Sequence, residues 1–172
     1  MPTKGPLSAA VEAASGGKQT VLYTAKGQPT YMNIIPAFNL QDIGEDLGAG
    51  VHPAFIVNGV QKSQIYIGTY QAVVENGEAV SLPSRLPEHQ INFDDARAVC
   101  AAAGTGFHLM TNLEWAAIAL QCAKNGRGNL TGNVGTFELR NRGTDARPVW
   151  EEVWVSSNLV PTGSGPNAWR HD

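Results

Sequence analysis

Apolar positions recur with two different periods along this chain, and each period predicts a different kind of element. Residues 21–23 form a short β-branched and aromatic run, a strand candidate. Residues 31–38 read as a second strand, interrupted by Pro36, which suits a strand end or an edge. Residues 54–60 and 63–70 are dense in Ile, Val, Phe and Tyr and are split by Gln61-Lys62, so they predict two strands or one bulged pair. Within 71–80, Asn76-Gly77 separates two Val-containing runs. That dipeptide is the strongest short hairpin signal, because both residues accept the positive φ of a type I′ turn.

From residue 92 the period lengthens to that of a helix. Asn92 is a favoured N-cap, and Asp94 and Asp95 fall in the first turn, where the helix dipole favours negative charge. Phe93, Ala96, Val99, Cys100 and Ala103 recur at helical spacing, and Gly104 stands where a C′ glycine ends a helix. Thr111 and Glu114 then form a capping box for a second helix. Its apolar stripe is predicted as Trp115, Ile118, Ala119 and Cys122, and Asn125-Gly126 closes it.

The remaining segments lack a clear period. Residues 41–50 are polar and Gly-punctuated, and predict a solvated turn with room for one helical turn. Their Asp42, Glu45 and Asp46 lack the alternating acceptors around a fixed Gly that a calcium loop needs. Residues 81–89 carry two prolines and read as an irregular loop, and 126–135 as a long Gly/Asn-rich one. Residues 148–157, with Trp150 and Trp154, predict a strand or a short helix. At the other end, residues 1–20 hold almost no large apolar side chains. They are expected to be a flexible N-terminal arm, with a short helix near 8–15 that Gly16-Gly17 would stop. The domain itself is expected to occupy residues 21–172.

Composition narrows the function classes. Charged residues are 16% of 172, and the 19 Gly and 10 Pro favour a loop-rich fold in one domain. A net charge of −3 with scattered Lys and Arg gives no basic face for nucleic acid. No apolar run approaches a membrane span, and residues 1–20 lack the apolar core of a secretory signal. The two cysteines, Cys100 and Cys122, make no CxxC pair and sit on the predicted helix stripes, where they read as small buried apolar residues. None of His52, His89, His108 and His171 has an i, i+4 partner or an HExxH context. His108, between apolar residues, reads as a packed or edge-exposed side chain.

The segment 91–119 resembles the signature of formylglycine-generating-enzyme (sulfatase-modifying-factor) domains. Asp95-Ala96, Cys100 and Gly104 match the first half of that signature, and Leu109, Thr111, Glu114, Trp115 and Ala117 the second. His108 stands where the family has Arg, and Met110 where it has Pro. The resemblance implies an α+β, C-type-lectin-like fold, with two helices packed on short antiparallel strands and long ordered loops. In the family a further block follows a segment like 167–172 and carries the catalytic cysteines, the calcium ligands and the variable ligand surface. The resemblance therefore implies a domain lacking its C-terminal part, with no catalytic residue, metal ligand or cofactor to carry over. Trp169, Arg170 and His171 remain as candidate ligand-binding residues, while Asn92, Cys100, Gly104, Thr111, Glu114, Trp115 and Cys122 are expected to be caps and core.

Two kinds of protein use this fold: an oxidase that converts cysteine to formylglycine, and ligand-binding proteins such as phage tail receptor-binding proteins and retroelement-diversified proteins. Fold alone does not choose between them. The lack of a secretory signal, the absence of a disulfide set, the small-residue arm and the missing catalytic half favour a non-enzymatic phage virion protein of the tail or tail fibre. Its expected partners are other virion proteins, a host surface receptor and further copies of itself. A fragment of an oxidase and a diversified bacterial binder are the alternatives.

Overall fold

The computed structural model describes residues 3–124, 137–141 and 150–154. Among them the chain is α+β, with three helices and short antiparallel strands in open sheets. Helix α1 (Pro6–Ala14) precedes strand β1 (Gln19–Tyr23), and β2 (Pro29–Pro36) returns antiparallel with Val21 opposite Tyr31. Strand β2 ends at Pro36, which has no N–H for the ladder. After three single-turn helices comes a small hairpin, β3 (Ile56–Val57) and β4 (Val60–Gln61). Strand β5 (Gln64–Gly68) then pairs with β2, so the main sheet has the order β1-β2-β5.

A second hairpin, β6 (Ala72–Glu75) and β7 (Glu78–Ser81), turns at Asn76 and Gly77, whose φ angles are 51° and 78°. The positive φ at both positions is what the Asn-Gly signal predicts. The same dipeptide makes the β3–β4 turn, where Asn58 and Gly59 have φ of 51° and 75°. The run 54–60 reads as one continuous strand by composition, but it is folded back on itself by those two residues.

Helix α2 (Phe93–Ala102) packs against β7 and helix α3 (Asn112–Lys124) against the single turn Pro53–Phe55. Strands β8 (Phe137–Asn141) and β9 (Trp150–Trp154) pair antiparallel, with Phe137 opposite Trp154. The segment 148–157 is thus a strand over its described part.

The core gathers Ile35, Ala54, Phe55 and Ala117, with Phe38, Val51, Ile65 and Ile67 packed around them. Val21, Leu22, Val80, Ala103 and Ile118 are also buried. In β1, Thr20, Val21 and Leu22 are consecutive and all buried, so both faces of this strand are covered.

Helix α1, within the expected N-terminal arm, supplies one of those covers. Ser8 is buried, and its hydroxyl donates to the Val21 carbonyl at 2.5 Å. The same oxygen accepts from the Gly5 N–H at 2.9 Å, capping the helix. Glu12 accepts from both Lys4 and Thr20, and the Tyr23 N–H donates to the Thr3 carbonyl at 3.0 Å. A Cβ on Gly5 would lie 2.7 Å from the Tyr23 ring, so only glycine lets the segment approach this strand. Small residues thus allow close approach and polar docking, which a count of large apolar side chains does not register. The helix still stops where predicted, with Gly16 and Gly17 at positive φ just beyond Ser15.

Candidate functional surface

The two signature helices begin as their sequences specify. The Asn92 side chain accepts from the Asp95 N–H at 2.9 Å, and Gly104 ends α2 at φ +127°. The Ala103 carbonyl just before it accepts from the Ala25 N–H at 2.9 Å, which ties the end of α2 to the β1–β2 turn. At α3 the capping box is closed in both directions. The Glu114 N–H donates to Thr111 Oγ1 at 3.3 Å, while Glu114 Oε2 accepts from the Thr111 N–H at 2.7 Å and its hydroxyl at 2.8 Å.

The other carboxylate oxygen of Glu114 holds a group that the sequence pattern left aside. His108 Nε2 lies 2.9 Å from Glu114 Oε1, and its Nδ1 lies 3.0 Å from the Gly106 carbonyl oxygen. His108 is therefore edge-exposed and specifically partnered, with a side-chain exposure of 55% against 13% for Glu114. Partial burial disfavours its charged form, but the Gly106 carbonyl and the Glu114 carboxylate outweigh that and raise its pKa above 6.5.

The apolar stripes do not all face inward. Phe93 is 69% exposed and Trp115 50%, although Trp115 is expected in the core and Phe93 on the apolar face of its helix. The buried residues of α3 are Ala117 and Ile118. At about 100° per residue, Trp115 projects about 60° from Ile118 and about 160° from Ala117, so it falls outside the buried arc. Met110 and Leu113, close to Trp115 in sequence, are exposed as well. The β3–β4 hairpin gathers exposed apolar residues in one place, since Ile56, Val57 and Val60 all lie on its surface.

Neither Cys100 nor Cys122 is in a disulfide, and both are half-buried instead of fully buried. Burial pushes the Cys100 thiol above its ordinary value, which disfavours the nucleophilic thiolate. His52 is buried between Phe38 and Phe55, and its Nδ1 accepts from the Ala54 N–H at 3.2 Å. Burial lowers its pKa, so the ring is neutral with the proton on Nε2. Glu78 is fully buried and went unnoticed in the sequence. It accepts from Thr24 Oγ1, Gln28 Nε2 and the Lys26 N–H, and thereby joins the β6–β7 hairpin to the β1–β2 turn. Asp42, Glu45 and Asp46 lie on exposed single turns.

Among the described residues, no group of three His, Cys, Asp or Glu side chains is placed to hold a metal ion, and no helix is long and apolar enough to cross a membrane. Trp169, Arg170 and His171 lie outside the described residues, as does the side chain of Trp150. No protein-family model matches the sequence, and no curated protein matches it significantly.

Proposed function

We propose that this chain is a non-enzymatic binding or assembly module that presents surface loops and a hairpin on a C-type-lectin-like framework. The observation that supports it most is the β3–β4 hairpin, on which Ile56, Val57 and Val60 are all exposed; Phe93, Met110, Leu113 and Trp115 are further large apolar side chains open to solvent. Grouped exposed apolar residues mark interaction surfaces, whereas single ones are ordinary. Aromatic and Met side chains are also the types enriched where proteins meet.

On the resemblance of segment 91–119, the setting we propose is a phage virion, at the tail or tail fibre, with other virion proteins and a host receptor as partners. The test is whether the chain bands with intact particles on a density gradient. Co-banding that survives high salt, and is lost in the Val57→Ser/Val60→Ser and Trp115→Ser variants, supports the reading. Copper- and oxygen-dependent oxidation of a cysteine peptide by the purified chain overturns it in favour of the oxidase.

A further inference from the structure

Both ring nitrogens of His108 face oxygens that can only accept. Nδ1 is 3.0 Å from the Gly106 carbonyl, and Nε2 is 2.9 Å from a Glu114 carboxylate oxygen. A neutral imidazole carries one N–H and one lone pair, so it can satisfy only one of these oxygens and must point its lone pair at the other. The imidazolium has two N–H groups and satisfies both.

We propose that His108 is a protonation-dependent clamp on the α2–α3 connection: as an imidazolium it ties the Gly106 carbonyl to Glu114, and loss of its proton to solvent releases one end.

The clamp sits on a device that can transmit its state. Glu114 Oε2 is already occupied by the Thr111 N–H and hydroxyl, so the His108 contact uses the remaining oxygen. One carboxylate thus couples the tip of the connection, near Gly106, to the first turn of α3. Gly104 and Gly106 both have positive φ, at 127° and 97°, and Gly106 has no atom within 4 Å of an added Cβ. The tip is therefore open on that side, and the histidine is the contact that holds its carbonyl. Glu114 is the charged group whose field acts on the ring. The β1–β2 turn touches the far end of the connection, through Ala25 at Gly104, but its Lys26 ammonium is bound to the Asn76 carbonyl instead. Met110 and Leu113 flank the clamp in sequence and are exposed. The inference needs only the geometry and stands whether or not the proposed partner class is right.

The direction follows from the two bonds. Both raise the pKa of the ring, so the clamp is complete below 6.5, the ordinary histidine value, and opens as pH rises through the higher folded value. The experiment is a pH titration of the full chain by NMR, following the His108 ring nitrogens and the backbone amides of Thr111 and Glu114. The expected result is a His108 midpoint above 6.5, imidazolium-type shifts at both nitrogens below it, and amide signals of Thr111 and Glu114 that move with the same midpoint. Hydrogen-exchange protection at Thr111 should fall several-fold across the transition. Glu114→Gln should lower the midpoint. His108→Gln should abolish the step that both amides show at the His108 midpoint while leaving α3 folded, which serves if Glu114→Gln fails to fold. A His108 midpoint at or below 6.5, or an amide step at the parent His108 midpoint that persists in His108→Gln, overturns the proposal.

Discussion

Thr24 donates its hydroxyl to the buried Glu78 carboxylate at 2.6 Å, joining positions 54 residues apart. Gln28 donates to the same oxygen at 2.6 Å and the Lys26 N–H to the other at 3.0 Å. Burial alone would favour the neutral acid, but these three donors hold the carboxyl below its ordinary value. Replacing Thr24 with Val should cost about 1–3 kcal/mol, measured by urea unfolding, because a buried acceptor loses a partner. The stabilisation from Glu78 is present above 4.5, the unfolded value, and is lost as pH falls through the lowered folded value. Glu78→Gln should be less stable than the parent near neutral pH and should lose less on acidification. A parent-like acid profile in that variant would rule out this role for the carboxylate.

His52 imposes a different pH dependence. Its folded pKa lies below 6.5, so no stability is lost while both states are neutral above that value. As pH falls below 6.5 the unfolded chain takes up a proton that the buried ring resists, and stability declines until the folded value is reached. His52→Asn should retain an acceptor for the Ala54 N–H, lose ring packing against Phe38 and Phe55, and show a flatter stability profile in that window. Thermal unfolding across the window reads both effects.

Trp115 and Ile118 are three residues apart and should respond oppositely to truncation. Ile118 is 1% exposed, and its replacement by Ala should cost about 2–5 kcal/mol through lost burial and a cavity. Trp115→Ala should cost under about 1 kcal/mol, because the side chain is half open to solvent. Urea unfolding of the two variants checks this. A large loss for Trp115 would place it in the core after all.

The β3–β4 turn should depend on its glycine more than its flanking strands depend on their side chains. Gly59 has φ +75°, with nothing within 4 Å of an added Cβ, so the cost of Gly59→Ala is conformational. It should be about 1–2 kcal/mol, the ordinary penalty for a left-handed non-glycine residue. Val60→Ser should change stability little, since Val60 is 56% exposed, while weakening any association that uses the hairpin. Urea unfolding and sedimentation velocity separate the two effects.

What was legible in the sequence were features whose cause is local. Asn92, Gly104, Thr111 and Glu114 act on backbone groups within three residues of themselves, and each is found in its expected role. The Asn76-Gly77 hairpin was legible for the same reason, and Asn58-Gly59 carried an equal signal that the surrounding apolar run concealed. Trp115 and Phe93 were misplaced because helical spacing gives the width of an apolar stripe but not which part of it meets a neighbour. For the candidate surface, the exposed residues were visible as apolar positions, and their exposure was not. The pairing of His108 with Glu114 spans six residues and a glycine-bent turn, which no fixed spacing encodes.

The sequence by itself determined the α+β class, the starts of α2 and α3 and the Asn-Gly turn of β6–β7, because caps and turns are chosen by backbone chemistry close in the chain. Tertiary structure decided that Ser8 docks α1 onto β1, that Glu78 is buried against Thr24, and that Trp115 faces solvent. Each of these depends on the distance and burial between segments far apart in sequence. Burial is a property of the assembled chain, so the same glutamate or tryptophan reads alike in sequence whether it ends up inside or outside.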